Sequence, residues 1–180
     1  MNTYISMLRG INVSGHNKIK MEELKKLYET LGFSNVQTYI QSGNVVFKSS
    51  DTNISKLTGK IEKRIKRVFG FDVPVLIRTK NDFRKLIQNT PFIKKDFSKL
   101  YVTFLSDTPS QLPIDEIKKI KDESEEFFIS DKEIYVFCPN GYGRTKLNNN
   151  FFEKKVGVSV TTRNWKTVNK LLEMTKENDV

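Results

Sequence analysis

Gly10 and Gly15, in the stretch LRGINVSGHNK (Leu8–Lys18), have the glycine spacing of a phosphate-binding P-loop. That motif puts Lys and then Ser or Thr directly after its second glycine. The ammonium meets the β- and γ-phosphates and the hydroxyl reaches Mg²⁺. Here His16 and Asn17 stand in those places, and a helical apolar period starts only at Met21, so a Walker-type site is excluded. What remains suits an anion: Arg9 as a planar fork, Lys18 as a point charge, and Asn12, Gly15 and Asn17 as donors or closely approaching backbone. The competing reading is that glycine and asparagine serve tight turns.

Two further clusters carry donors. In NGYGRTKLNNN (Asn140–Asn150), Arg144 and Lys146 run just ahead of a helical pattern, where free N–H groups favour anions. Thr145 or Asn148 would cap that helix. In TTRNWK (Thr161–Lys166), Asn164 is a natural N-cap and Trp165 belongs to an apolar stripe. Arg163 opposes the helix dipole there, and a cation in that place is better tolerated beside an anion. Nucleophilic chemistry is thin: Ser14 and His16 have no neighbouring acid to orient the imidazole, and Cys138 reads as a small core residue.

The 180 residues carry a net charge of +10, with 24 Lys, 7 Arg and no Ala. A lysine coat set by compositional bias accounts for this as well as function does. The asymmetry points the other way: residues 1–90 hold 16 Lys+Arg against 7 Asp+Glu, residues 91–180 hold 15 against 14. A basic half attracts polyanions. One cysteine and one histidine make a disulfide or transition-metal site unexpected, and no cofactor is expected. Mean hydropathy is −0.48 and no stretch approaches the roughly 18 apolar residues of a membrane span. The start MNTYISMLRG lacks the pattern of a secretion signal, so a cytoplasmic protein without a membrane partner is expected.

Several elements must position these residues. Tyr4–Leu8 reads as a strand, Met21–Leu31 as a helix, and the runs either side of Ser42-Gly43 as a hairpin. Ile54, Leu57, Ile61, Ile65 and Val68 mark a second helix, and DVPVLIRT another strand. That order, β-α-β-β-α-β, is the split βαβ of ferredoxin-like domains. After a short helix at about 80–89 the order returns: strand 100–105, a helix behind Pro113, a hairpin about Asp131-Lys132, a helix near 149–155, VSVTT, and a closing helix from Trp165. An α+β chain of two tandem ferredoxin-like subdomains is therefore expected, 1–90 with its linking helix and 91–180 with the C-terminal helix. In such a unit the first and second strands run the same way. Arg9, Asn12, Gly15, Asn17 and Lys18 would then share one end of the sheet with Gln41, Ser42 and Asn44.

On the second helix, Lys60, Lys63, Arg64 and Arg67 offer a phosphate-backbone footprint or a solvated lysine face. The run SGNVVFK lacks the paired aromatics of an RNA-reading third strand.

Four stretches, YISMLRGINVSGHNK, TYIQSGNVVF, GYGRTKL and TTRNWKTVNKL, resemble the marks of a bacterial family, domain of unknown function 1697. Its members open with LRGINVGG and close with TxRNWxT, and the likeness is collinear from about Thr3 to Leu172. The resemblance implies two similar α+β subdomains and brings no established activity, cofactor or catalytic residue. Ser14 replaces a usual second glycine, and His16 stands outside the shared pattern, which lowers any role for it in catalysis. Arg9, Asn12, Gly15, Asn17, Gln41, Ser42, Gly43, Asn44, Gly143, Arg144, Lys146, Arg163, Asn164 and Trp165 fit the pattern. They are mostly donors and glycines, with no acid among them. The expected function is binding of a phosphate-bearing ligand, a nucleic-acid backbone or a nucleotide. The alternatives are an enzyme acting on a small phosphorylated or carboxylated substrate at the same loops, and a partner-binding protein without catalysis.

Overall fold

The computed structural model describes residues 1–177. The chain divides into two compact units. One comprises Met1–Leu86 with the stretch from Lys170, the other Ile87–Asn169.

The first unit runs β1 (Asn2–Leu8), α1 (Met21–Thr30), β2 (Ser34–Tyr39), β3 (Asn44–Ser49), α2 (Ile54–Phe69), β4 (Val75–Thr79) and α3 (Lys80–Gln88) as far as Leu86. Its strands order as β2-β3-β1-β4, with every neighbouring pair antiparallel. The helices form where apolar residues recur at three and four positions, and Leu24, Leu27 and Tyr28 of α1 and Leu57, Ile61 and Ile65 of α2 are buried. The Asn53 side chain caps α2 by accepting from Lys56 N–H, and Gly70 ends that helix. These faces close over Tyr4, Leu8, Val45 and Phe47 of the sheet. The opposite face, with Ile5, Met7, Val46 and Leu76, is also buried.

The second unit repeats the plan with β5 (Leu100–Leu105), α4 (Ile114–Ile120), β6 (Glu126–Ser130), β7 (Glu133–Phe137), α5 (Asn149–Val156), β8 (Val160–Asn164) and the start of α6 (Trp165–Glu177). Its order is β6-β7-β5-β8. The tandem ferredoxin-like arrangement is thus present, and the repeat extends to register. Ile5 lies opposite Arg78 on the edge strand of one sheet, Val102 opposite Arg163 in the other. Both arginines are buried. Each sends Nη1 back to the carbonyl before it, Ile77 at 3.1 Å and Thr162 at 2.9 Å.

Three buried acidic protons set the alkaline limit of this fold. The Tyr28 hydroxyl lies 2.8 Å from Ser6 Oγ, and burial holds its phenol far above the ordinary 10.0. Burial also pushes the Tyr135 phenol and the Cys138 thiol up to about 12. Groups whose folded pKa exceeds the unfolded one contribute stability that is intact below the unfolded pKa and lost above it. The urea midpoint is therefore expected to show no loss from these groups through neutral pH and to fall from about pH 9–10 upward. Tyr28→Phe should flatten that fall; an unchanged alkaline slope in the variant would remove Tyr28 from the account.

Candidate functional site

β3 is antiparallel to both β1 and β2, so the β1–α1 loop and the β2–β3 hairpin leave the same end of the first sheet. Leu8 N–H donates to the Gly43 carbonyl at 2.8 Å, and Arg9 N–H donates to Pro74 at 2.9 Å. The loop itself is a miniature hairpin. His16 N–H donates to Val13 O at 2.9 Å and Asn12 N–H to Asn17 O at 3.2 Å. Ser14 and Gly15 at its tip have φ of 49° and 78°, both positive as in a type I′ turn. The P-loop spacing is therefore a two-residue strand reversal.

Asn12 locks this hairpin to its neighbour. Its Nδ2 donates to Ile19 O at 2.9 Å and to Gln41 O at 2.8 Å, while Oδ1 accepts from Ile19 N–H at 2.9 Å. Asn17 Nδ2 donates to Gly10 O at 3.1 Å. In the β2–β3 turn, the buried Asn44 donates to Tyr39 O and Ser42 Oγ, both at 3.0 Å. The three asparagines thus spend their amides on the loops themselves. Gly15, His16, Lys18, Lys20 and Gln41 face solvent, and Arg9 and Ser42 are half-buried. Directly after this loop, α1 begins behind Lys20 with no side-chain cap, and its first turn carries Glu22 and Glu23.

In the second unit the two C-terminal motifs meet each other. Gly141 leads into a single 3-10 turn at Tyr142–Arg144. The Tyr142 ring stacks on Tyr101, centroids 4.9 Å apart, and its hydroxyl donates to Thr162 Oγ1 at 3.1 Å. Thr162 donates to Asn149 Oδ1 at 2.7 Å and lies 2.7 Å from the Thr103 hydroxyl. Arg144 and Lys146 are exposed, whereas Arg163 is 6% exposed, with Nη1 2.7 Å from Thr161 Oγ1. Its Nη1 also donates to the Thr162 carbonyl at 2.9 Å. Asn164 caps α6 by accepting from Thr167 N–H at 2.8 Å, and Trp165 is buried against Phe97. The Tyr101–Tyr142–Thr162–Asn149 chain went unread in the sequence because it joins four separate segments.

The profile of the family described as "Protein of unknown function (DUF1697)" matches residues 1–135. The chain belongs to this family. A conserved bacterial protein from Streptococcus pneumoniae, SP0830, has a similar structure with a TM-score of 0.75 and 26% sequence identity. The likeness covers 96% of this chain and 98% of that one. No protein of curated function matches.

On this DUF1697 chain the basic residues of α2 divide. Lys60 Nζ donates to Leu31 O at 2.7 Å and sits 5.3 Å from the Phe33 ring centroid. Lys66 pairs with Asp72 at 2.7 Å, and Arg64 is half-buried with a buried Nε that has no partner among the described residues. Lys63 and Arg67, one turn apart, are exposed. A sheet-surface platform for stacked bases does not exist in the first unit, because both faces of its sheet are covered. The Cys138 thiol, buried and shifted up to about 12, is held protonated and is a poor nucleophile. Among the described residues no group of three His, Cys, Asp or Glu side chains is placed to hold a metal.

Proposed function

We propose that this DUF1697 protein binds a phosphate-bearing ligand, a nucleic-acid backbone or a nucleotide, at the end of the first sheet beside Arg9, Lys18 and Lys20. The observation that carries the reading is the start of α1, which has no side-chain cap from Lys20 and follows directly on Lys18 and Lys20, with Glu22 and Glu23 in its first turn. Oriented N–H groups with nearby fixed cations bind phosphate oxygens with little reorganisation. The surplus of basic residues in the first ninety supports the same reading through long-range attraction. Lys63 and Arg67 would extend it along a polymer, while Arg144 and Lys146 are exposed on the other unit. A cytoplasmic setting belongs to this proposal, and no helix among the described residues is long and apolar enough to cross a membrane.

Fluorescence anisotropy with a labelled single-stranded oligonucleotide tests it. Affinity should fall with salt at a log–log slope of about −2 to −3, from roughly 0.7–0.9 per neutralised phosphate and three cations. The double variant Lys18→Glu/Lys20→Glu should bind at least about tenfold more weakly. If only mononucleotides raise the melting temperature, and Arg9→Ala abolishes the rise, the ligand is small. Wild-type and double-variant curves that coincide, together with no melting shift from any nucleotide, would sink the proposal.

A further inference from the structure

The two units share one topology but finish their outer strands differently. β2, the outer strand of the first sheet, has polar side chains at five of its six positions, a register break between Ser34 and Gln37, and Asn35 at a φ of 49°. Such irregularity keeps another strand from adding to an edge. β6, its counterpart, reads EFFIS, pairs with β7 in unbroken register and has no partner strand on its other side among the described residues. It contains no proline, no lysine and no bulge. Phe128 at its centre is 46% exposed. On the same flank Ile93, 68% exposed, lines with Phe92, Phe127 and Phe128 a groove of about 720 Å³.

We propose that β6 pairs with β6 of a second copy of this chain, antiparallel about Phe128, so that two second-unit sheets continue into one another. The geometry of the hairpin fixes the register. A two-residue turn at Asp131-Lys132 makes Ser130 and Glu133 the closing hydrogen-bonded pair. Alternation then aims the N–H and C=O of Glu126, Phe128 and Ser130 at β7, and those of Phe127 and Ile129 outward.

A two-fold axis at Phe128 sets Phe127 opposite the partner's Ile129, and Ile129 opposite the partner's Phe127. All four outward groups of each strand are then paired, and the two Phe128 rings meet at the non-hydrogen-bonded position where side chains lie closest. Within the strand Glu126 faces the partner's Ser130, and just outside it Glu125 faces the partner's Asp131. This self-complementarity in backbone and apolar surface is what an isologous contact requires, and a second copy of the chain supplies it.

Sedimentation equilibrium of the full chain, with a cysteine substitution as an independent probe, tests the proposal. The wild type should sediment at twice the chain mass at high micromolar concentration. Phe128→Lys, a change at an exposed site, should raise the dissociation constant at least about tenfold by setting two cations across the axis. Phe128→Cys should form a disulfide-linked dimer on mild oxidation, since cross-strand Cβ atoms about 4.5–5.5 Å apart approach disulfide reach. Thr38→Cys on β2 should stay unlinked, and the native Cys138 is buried. A wild type that remains monomeric overturns the proposal, as does a dimer that survives Phe128→Lys or one in which Phe128→Cys does not cross-link.

Discussion

Gly43→Ala is expected to lower the melting temperature by roughly 4–16 °C, at about 2–4 °C per kcal/mol for a chain of this size. Gly43 has a φ of 79°, and a Cβ there would lie 2.6 Å from Ile11 Cδ1 and 2.9 Å from Leu8 Cβ. Neither neighbour yields easily. Ile11 is buried, and the Leu8 backbone is tied to Gly43 by a 2.8 Å hydrogen bond. The left-handed conformation costs about 1 kcal/mol and forced overpacking about 1–3 kcal/mol more. Gly15→Ala is the matched control, because a Cβ there meets only Lys18 Cε at 4.0 Å. It should lose only the conformational part, about 1 kcal/mol. Equal losses in the two variants, measured by thermal melting, would show that the close approach of Gly43 to Leu8 and Ile11 is unimportant.

Asn12→Ala is the second large effect, expected to cost about 2–4 kcal/mol. It removes two donors and one acceptor at once, leaving Ile19 N–H, Ile19 O and Gln41 O to find water or stay unpaired. Ile19 is buried, so its groups are the costly ones. Alanine must also take up a φ of 54°. Asn12→Asp should do no better, since it keeps the acceptor for Ile19 N–H but sets a carboxylate oxygen against two carbonyls. Amide hydrogen exchange reads this directly: Ile19 should exchange much faster in both variants. Protection of Ile19 equal to wild type would mean that Asn12 does not hold the loop to the hairpin.

These two residues also mark the limit of what the chain discloses unfolded. The elements were legible because each depends on local spacing: Leu24, Leu27 and Tyr28 at helical intervals, the hairpin signal at Ser42-Gly43, Asn164 before Trp165. The meeting of the Asn12 loop with Gln41 followed from strand directions alone. The partner that Asn12 chooses could not be read, because an amide that binds a ligand and one that binds backbone have the same composition and spacing. Arg163 shows the same difficulty from the other side. Its position before a helix was legible, whereas its burial and the threonine oxygens beside it depend on β5–β8 register. Tyr142 and Thr162 are 20 residues apart in the chain, and only the docking of a 3-10 turn on an edge strand unites them.

The helix α6 has a consequence in time. It begins in the second unit, yet its residues from Lys170 belong to the first, whose other residues end at Leu86. A chain made from its N-terminus must therefore add 84 residues after Leu86 to reach Lys170, where the first unit's second stretch begins. At about 5–20 residues per second that is a delay of roughly 4–17 s. During that interval the ribosome has finished most of the second unit while the first still waits, so the half that is synthesised first is the half that is completed last.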